Sequence, residues 1–135
     1  MFIPTDGKEI TQWISTQGYF VADLASLIFE SPSRFTIQAL ADCVLYTINR
    51  EDYKKIGNLV PKWYELEKLF MAKCFIILED RIFSHLSMTA EERYDFFFEN
   101  NRELFNQVPL QYIASMLGMT AETFSRIRKK QQLQS

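Results

Sequence analysis

The first 48 residues show the alternation of apolar and polar side chains that is typical of β-strands. The alternating or β-rich segments are residues 8–14, 35–40 and 44–48. Asp6-Gly7 is a hairpin signal in front of the first segment. The apolar residues 21–29 are sufficient for about two helical turns. The pattern therefore predicts several short strands with one small helix between them.

From Asn49 onward the apolar residues recur every three or four positions, which indicates helices. Asn49 can cap a first helix, and Gly57 can end it. A longer helix is predicted from about Pro61 to roughly Leu86, with a length of about 38 Å. Its apolar face comprises Leu59, Trp63, Leu66, Phe70, Cys74 and Ile77, with Leu69, Ile76 and Phe83 beside them.

Two interpretations of this apolar face remain open. The helix packs against the chain's own β-region, or it forms the seam of a parallel dimer. The second is favoured because so long a helix would extend beyond a sheet of three short strands. The residues expected in the dimer seam are Trp63, Leu66, Phe70 and Ile77.

The last third of the chain is predicted to be helical and compact. Thr89 and Glu92 have the spacing of a capping box, in which each side chain bonds the backbone amide of the other residue. The helix that they begin is rich in aromatic residues, and Val108-Pro109 separates it from the next one.

Residues 110–129 match the pattern of a helix-turn-helix. Gly118 can adopt the positive φ that a tight turn needs, and Thr120 can cap the second helix. The residues expected in the turn and the packing are Ala114, Gly118, Phe124 and Ile127. A generic helical hairpin would share the apolar spacing, but the glycine turn, the threonine cap and the polar outer face together favour DNA binding.

The charge distribution agrees with this assignment. The net charge is −2, but residues 110–135 carry four basic side chains and one acidic side chain, which gives +3, and the remainder carries −5. A basic end on an acidic body is typical of a surface that faces phosphates, although a solvated tail would also be basic. The residues expected to contact the DNA backbone or groove are Thr120, Thr123, Ser125, Lys129 and Lys130.

Composition and the N-terminal sequence narrow the classes of protein to which the chain can belong. No apolar stretch could span a membrane, and the N-terminus lacks a signal peptide, so a cytoplasmic protein is expected. Cys43 and Cys74 are expected to be reduced, buried thiols. His85 is the single histidine, and no nucleophile–base pair stands out. We therefore expect no enzyme, no metal and no cofactor.

The chain resembles the Crp/Fnr family of transcriptional regulators. The stretches that carry the resemblance are residues 6–13, 32–35, 37–40, 91–94 and 109–130, of which the most specific is YIASMLGMTAETFSRIRKK at 112–130. The resemblance implies a cyclic-nucleotide-binding-like β-roll, a dimerisation helix and a DNA-binding end. It also implies that Glu122 and Arg126 read bases. Ala121 stands where many members of the family have an arginine, so the preferred operator should differ from theirs.

The resemblance also predicts how the sensor half departs from the family. Gly18 matches the opening of the cyclic-nucleotide cassette, but Tyr19 replaces its glutamate, and Ser33-Arg34 reverses the order of the closing pair. Only Gly18 and Arg34 are weak candidates for effector binding. Members of the family begin well before this Met1, so the roll is expected to be shortened. We expect no cyclic AMP site, and the effector stays unidentified.

The predicted fold is α+β, with a partial β-roll in residues 1–52, a linker and dimerisation helix in 53–88, and a helix-turn-helix domain of winged-helix type in 89–135. The predicted function is sequence-specific regulation of transcription by a DNA-bound homodimer. Two alternatives stay open, namely a protein–protein module that pairs with a full-length relative and a small-molecule sensor that does not bind DNA.

Overall fold

The fold, seen in a computed structural model that describes residues 1–5 and 8–134, combines a two-stranded sheet with seven helices in those ranges. The strands are β1 (Phe2–Thr5) and β2 (Lys8–Thr11). The helices are α1 (Leu24–Phe29), α2 (Arg50–Leu59), α3 (Trp63–Ser87), α4 (Ala90–Asn100), α5 (Leu104–Gln107), α6 (Leu110–Met116) and α7 (Ala121–Gln134). The predicted mixture of helices and strands is confirmed.

The chain divides into two compact units. Residues 1–43 together with 88–135 form the terminal unit, and residues 44–87 form the middle unit. The boundaries differ from the predicted three-part division. The N-terminal strands belong with the C-terminal helices, while α2 and α3 make a unit of their own.

The sheet is an antiparallel pair, with Thr5 opposite Lys8 and Phe2 opposite Thr11. This register agrees with a hairpin, although the predicted turn Asp6-Gly7 lies outside the described residues. β2 ends at Thr11 rather than at residue 14. Beyond the pair, Phe2 forms one isolated bridge with Thr36.

The other two predicted strands do not form. Residues 35–40 contribute only the bridge at Thr36, and residues 44–48 have no strand hydrogen bonding. Tyr46 is fully exposed and Val44 is 85% exposed. Strand propensity reflects packing on a pleated surface, so a β-rich segment without a neighbouring strand gains little from extending.

In the middle unit, α2 begins as predicted, because the Asn49 side chain accepts a hydrogen bond from the amide of Asp52. It continues past Gly57 to Leu59, so Gly57 is not its end. A Cβ at Gly57 would lie 2.5 Å from the ring of Tyr64, so glycine is needed there for the close approach of that ring.

Helix α3 matches the predicted long helix closely in its bounds. Its first turn packs on α2 through the rings of Trp63 and Tyr53, whose centroids are 5.7 Å apart and nearly perpendicular. The Tyr53 hydroxyl donates to the Glu67 carboxylate. Burial and this carboxylate raise the pKa of Tyr53 to about 12. No residue of 44–87 is fully buried, although about half of them are apolar.

The core of the terminal unit is aromatic. The ring of Tyr94 on α4 lies edge-on to Phe105 of α5 and Phe124 of α7, at centroid distances of 5.7 and 5.1 Å. Ile113 of α6 is 0% exposed in the same cluster. The predicted capping box is present, because Thr89 and Glu92 each bond the backbone amide of the other. These hydrogen bonds hold the pKa of Glu92 below its ordinary value.

The hairpin joins this core through α6. The amide of Thr11 donates to the Ser115 hydroxyl at 2.9 Å, and Thr11 is only 4% exposed. Ile14, just after the strand, packs against the aromatic cluster. The N-terminal strands therefore pack against the C-terminal helices.

The two cysteines are free thiols, but the prediction that both are buried is wrong. Cys43 is exposed and Cys74 is half-buried. Cys43 lies in the segment that lacks the predicted strands, and therefore no sheet covers it.

We expect Phe124→Ala to lower the free energy of unfolding of the terminal unit by about 3–5 kcal/mol, because the substitution removes a fully buried ring and leaves a cavity. Phe96→Ala on α4 is the matched control, since Phe96 is 57% exposed. Urea unfolding measures both variants. Equal losses from the two substitutions would contradict the assignment of Phe124 to the core.

Candidate nucleic-acid interface

The turn after α6 is built around Gly118. Its φ is +71°, and its amide donates to the Ser115 carbonyl at 3.0 Å. The amide of Met119 donates to the Ala114 carbonyl at 2.9 Å. This pair of hydrogen bonds is a Schellman motif, which closes the carbonyl end of a helix with a left-handed residue, usually glycine. Gly118 therefore forms the turn between α6 and α7.

Helix α7 begins at Ala121, directly after its cap. The Thr120 hydroxyl accepts from the amide of Thr123 at 3.1 Å and donates to the Thr123 hydroxyl at 3.0 Å. Thr120 is therefore the N-cap, as predicted. Thr123 is half-buried and engaged with the cap, which separates it from the exposed polar residues of α7.

The predicted packing residues lie between the helices. Ala114, Phe124 and Ile127 are each no more than 2% exposed. Ala114 gives α7 room to approach α6, because a larger side chain would add volume to a closely packed core. Met116 is buried as well, although the spacing did not single it out.

One stripe of α7 is polar and open. The predicted base-reading residues Glu122 and Arg126 are both exposed and four positions apart, which places them on one helix face. Together with Ser125 and Lys129, they line an open depression of about 360 Å³. The structure therefore brings together four of the seven residues predicted to contact DNA.

Lys130 behaves differently from this group. Its ammonium group donates to both carboxylate oxygens of Glu91 on α4, at 2.8 and 3.0 Å. Arg128 is half-buried, and its charge acts on the Tyr94 hydroxyl, whose pKa is raised overall because burial outweighs that charge. The basic end of the chain therefore divides into charges that face α4 and charges that lie in the open depression.

Arg93 holds the turn in place and was not singled out by the sequence analysis. Its Nε donates to the Leu117 carbonyl at 3.2 Å, and its Nη1 donates to the Met88 carbonyl at 2.7 Å. Leu117 ends α6, so Arg93 supplies a charged donor to a helix carboxyl end. The position of Arg93, four residues after the predicted cap Thr89, could have suggested a structural role. The sequence could not have identified its partner Leu117, which is 24 positions away.

The effector candidates Gly18 and Arg34 are both exposed. Gly18 occupies a turn with φ +84° and open space around it. The guanidinium of Arg34 lies over the Phe35 ring, 5.4 Å from the centroid. The Asp23 carboxylate accepts hydrogen bonds from the amides of Ala25 and Ser26 at the start of α1 and from the amide of Arg34. The Asp23 carboxylate therefore occupies three backbone amides, while the Arg34 guanidinium lies against the Phe35 ring.

The predicted dimer residues lie on one face of α3, because their spacings are three, four and seven. Trp63, Phe70 and Ile77 are half-buried, while Leu66 is 52% exposed. A separate stripe with spacings of four, three and four is more exposed. It consists of the half-buried Met71 and the exposed residues Phe75, Leu78 and Ile82.

Within residues 1–5 and 8–134, no helix combines the length and apolar composition needed to cross a bilayer. The same ranges contain no group of three or more His, Cys, Asp or Glu side chains that could hold a metal ion. Comparisons with protein-family models, with curated proteins and with solved structures give no match.

We expect Gly118→Ala to destabilise the terminal unit by about 1–2 kcal/mol, because alanine is strained at a left-handed φ. Gly118→Asn should lose less, since asparagine tolerates that conformation. Urea unfolding compares the two variants with the unaltered chain. The importance of the turn is contradicted if the alanine variant is as stable as the unaltered chain.

Proposed function

We propose that this protein binds DNA in a sequence-specific manner, with α6 and α7 acting as a helix-turn-helix and α7 lying in the major groove. The observation that carries the proposal is the open stripe of Glu122, Ser125, Arg126 and Lys129 on a helix fixed by the Gly118 turn.

The chemistry of the stripe suits the edges of base pairs. An arginine can donate two hydrogen bonds to guanine O6 and N7, and a glutamate can accept from the amino group of cytosine. Arg126 and Glu122 offer this pair of functions from one face of α7. Ser125 lies between them and can bond either a base or a phosphate. We assign base reading to Glu122 and Arg126, and backbone contact to Ser125 and Lys129.

We further propose that two copies of the chain act together, joined through α3. A helix that is apolar on all sides is normally buried, and residues 44–87 include no fully buried residue. A unit of this size rarely folds without additional burial from a partner, a metal or disulfides. The occupant that we propose is a second copy, because a parallel pair would also present two identical α7 helices to a two-fold symmetric site.

The seam that best fits this pairing is the stripe of Met71, Phe75, Leu78 and Ile82. Its alternating spacing of four, three and four keeps one face turned toward a parallel partner. The predicted seam through Trp63 fits less well, because Trp63 packs on Tyr53 of its own chain. The proposed dimer therefore uses a face about a third of a turn away from the one that the sequence favoured.

The resemblance to Crp/Fnr regulators supports this function, and we propose that the chain is a regulator of that type. The sensor half supplies no matching evidence for a cyclic nucleotide. Asp23 already satisfies the amides at the start of α1, and Arg34 lies against Phe35. The proposed regulator thus acts without a cyclic AMP site in residues 18–35.

We expect Arg126→Ala to weaken binding to a preferred operator while leaving binding to a scrambled duplex nearly unchanged, because a bidentate arginine–guanine contact discriminates by about 1–3 kcal/mol. Lys129→Ala should weaken both duplexes alike and reduce the slope of log affinity against log salt by about one. The operator is selected from random duplexes, and each variant is then titrated across a salt series.

Two outcomes of this experiment are decisive. Equal losses on both duplexes for Arg126→Ala would remove its base-reading role. Failure of the unaltered chain to prefer any duplex over the scrambled one would overturn the proposed function, and pairing with another protein would then be the leading function.

We expect Phe75→Glu to shift the chain from dimer to monomer, since the substitution buries a charge against the partner helix. Ile76→Glu is the matched control, because the two residues are adjacent and similarly exposed, at 62% and 56%, but face about 100° apart. Sedimentation at micromolar concentration measures both. Equal dissociation in both variants would reject the seam, and an unaltered chain that is monomeric would reject the dimer.

A further inference from the structure

The contact between Lys130 and Glu91 joins the far end of α7 to the first turn of α4. The ammonium group bonds both carboxylate oxygens, and each side chain keeps about half of its surface exposed. The two residues are 39 positions apart in the chain. This pair removes Lys130 from the set of charges that the sequence assigned to phosphates.

A second contact lies beside the first. The Gln131 amide donates to Asp95 at 3.0 Å, and Asp95 lies one helical turn after Glu91. Glu99 follows after another turn, so α4 carries an acidic row formed by Glu91, Asp95 and Glu99. Burial raises the pKa of Asp95, and the charges of its two acidic neighbours raise it further. The end of α7 therefore lies against a surface of negative potential.

Helix α4 also contacts the turn and the centre of the α6–α7 pair. Arg93 bonds the Leu117 carbonyl just before the turn, and Tyr94 packs on Phe124 in the middle of α7. Residues 91–95 of α4 thus contact the turn between α6 and α7, the centre of α7 and the end of α7. Four separate contacts hold α6 and α7 against α4.

Taking the proposed DNA-binding function as its basis, we propose that Glu91 and Lys130 form a positioning contact that orients the recognition helix, and that the acidic row marks the edge of the DNA-binding surface. Phosphates approach at Ser125 and Lys129. Lys130 contacts no phosphate, because a phosphate there would have to displace Glu91 and lie close to the charge of Asp95, one helical turn further along α4.

An exposed ion pair contributes little to global stability, so its role is tested in DNA binding. We expect Lys130→Ala to leave the salt slope unchanged, whereas Lys129→Ala reduces it by about one. Glu91→Gln should raise the slope by about one, since it releases Lys130 toward the phosphates. Lys130→Ala should also lower the ratio of operator to scrambled affinity several-fold.

The charge-swapped double variant Glu91→Lys with Lys130→Glu is the matched control. It should restore the salt slope and the operator preference, because the pair reforms with its charges exchanged. A slope that falls by about one in both Lys130→Ala and the swapped variant would identify Lys130 as a phosphate contact and overturn this proposal, while the proposed function would stand.

If the unaltered chain prefers no operator, the proposed function fails. The contact between Glu91 and Lys130 is then tested by whether the two residues depend on each other for their effect on stability. The midpoints of urea unfolding are then compared for Glu91→Gln, for Lys130→Ala and for the variant that carries both of these substitutions. A double variant that loses no more than the larger single loss supports the contact, and additive losses reject it.

Discussion

The packing of Tyr94, Phe105 and Phe124 is the interaction on which the terminal unit depends. The three rings come from α4, α5 and α7, and their centroids lie within 5.1–6.0 Å of one another. Aromatic pairs at such distances gain from both buried area and edge-to-face electrostatics. Because Phe124 is on α7, the core that stabilises the unit also sets the direction of its polar stripe. Packing and the proposed recognition surface are therefore properties of the same helix.

In the middle unit, by contrast, the apolar side chains are not fully buried. α3 carries apolar residues on all of its faces, between charged ones, yet its side chains are at most half-buried. The free energy available from burying residues such as Phe75 and Ile82 is therefore not realised within this unit as described. A partner would gain that free energy on association, about 25 cal/mol for each Å² of apolar surface removed from water. The terminal unit has a buried aromatic core, whereas residues 44–87 contain no fully buried side chain.

The sequence predicted best the features that depend on local chemistry. Gly118 needs only a left-handed φ, and Thr120 and Thr89 need only an amide three residues ahead, so spacing alone located them. The predicted strands at 35–40 and 44–48 do not form, because a strand needs a neighbouring strand to pair with, and local propensity cannot supply one. The pairing of Lys130 with Glu91 could not be foreseen either, since no local rule connects residues 39 positions apart. In the candidate site, spacing identified the stripe, and only tertiary contacts separated Lys129 from Lys130.

The hydrogen bond from the Thr11 amide to the Ser115 hydroxyl has a consequence for biosynthesis. The two residues are 104 positions apart, and a ribosome adding about 5–20 residues per second needs about 5–20 s to pass from one to the other. During that interval the hairpin exists without its docking helix, and a two-stranded hairpin alone is marginally stable. Closing so long a loop also costs entropy before the contact is gained. The hairpin of the nascent chain must therefore wait for α6, and the terminal unit can be completed only after α6 and α7 have been synthesised.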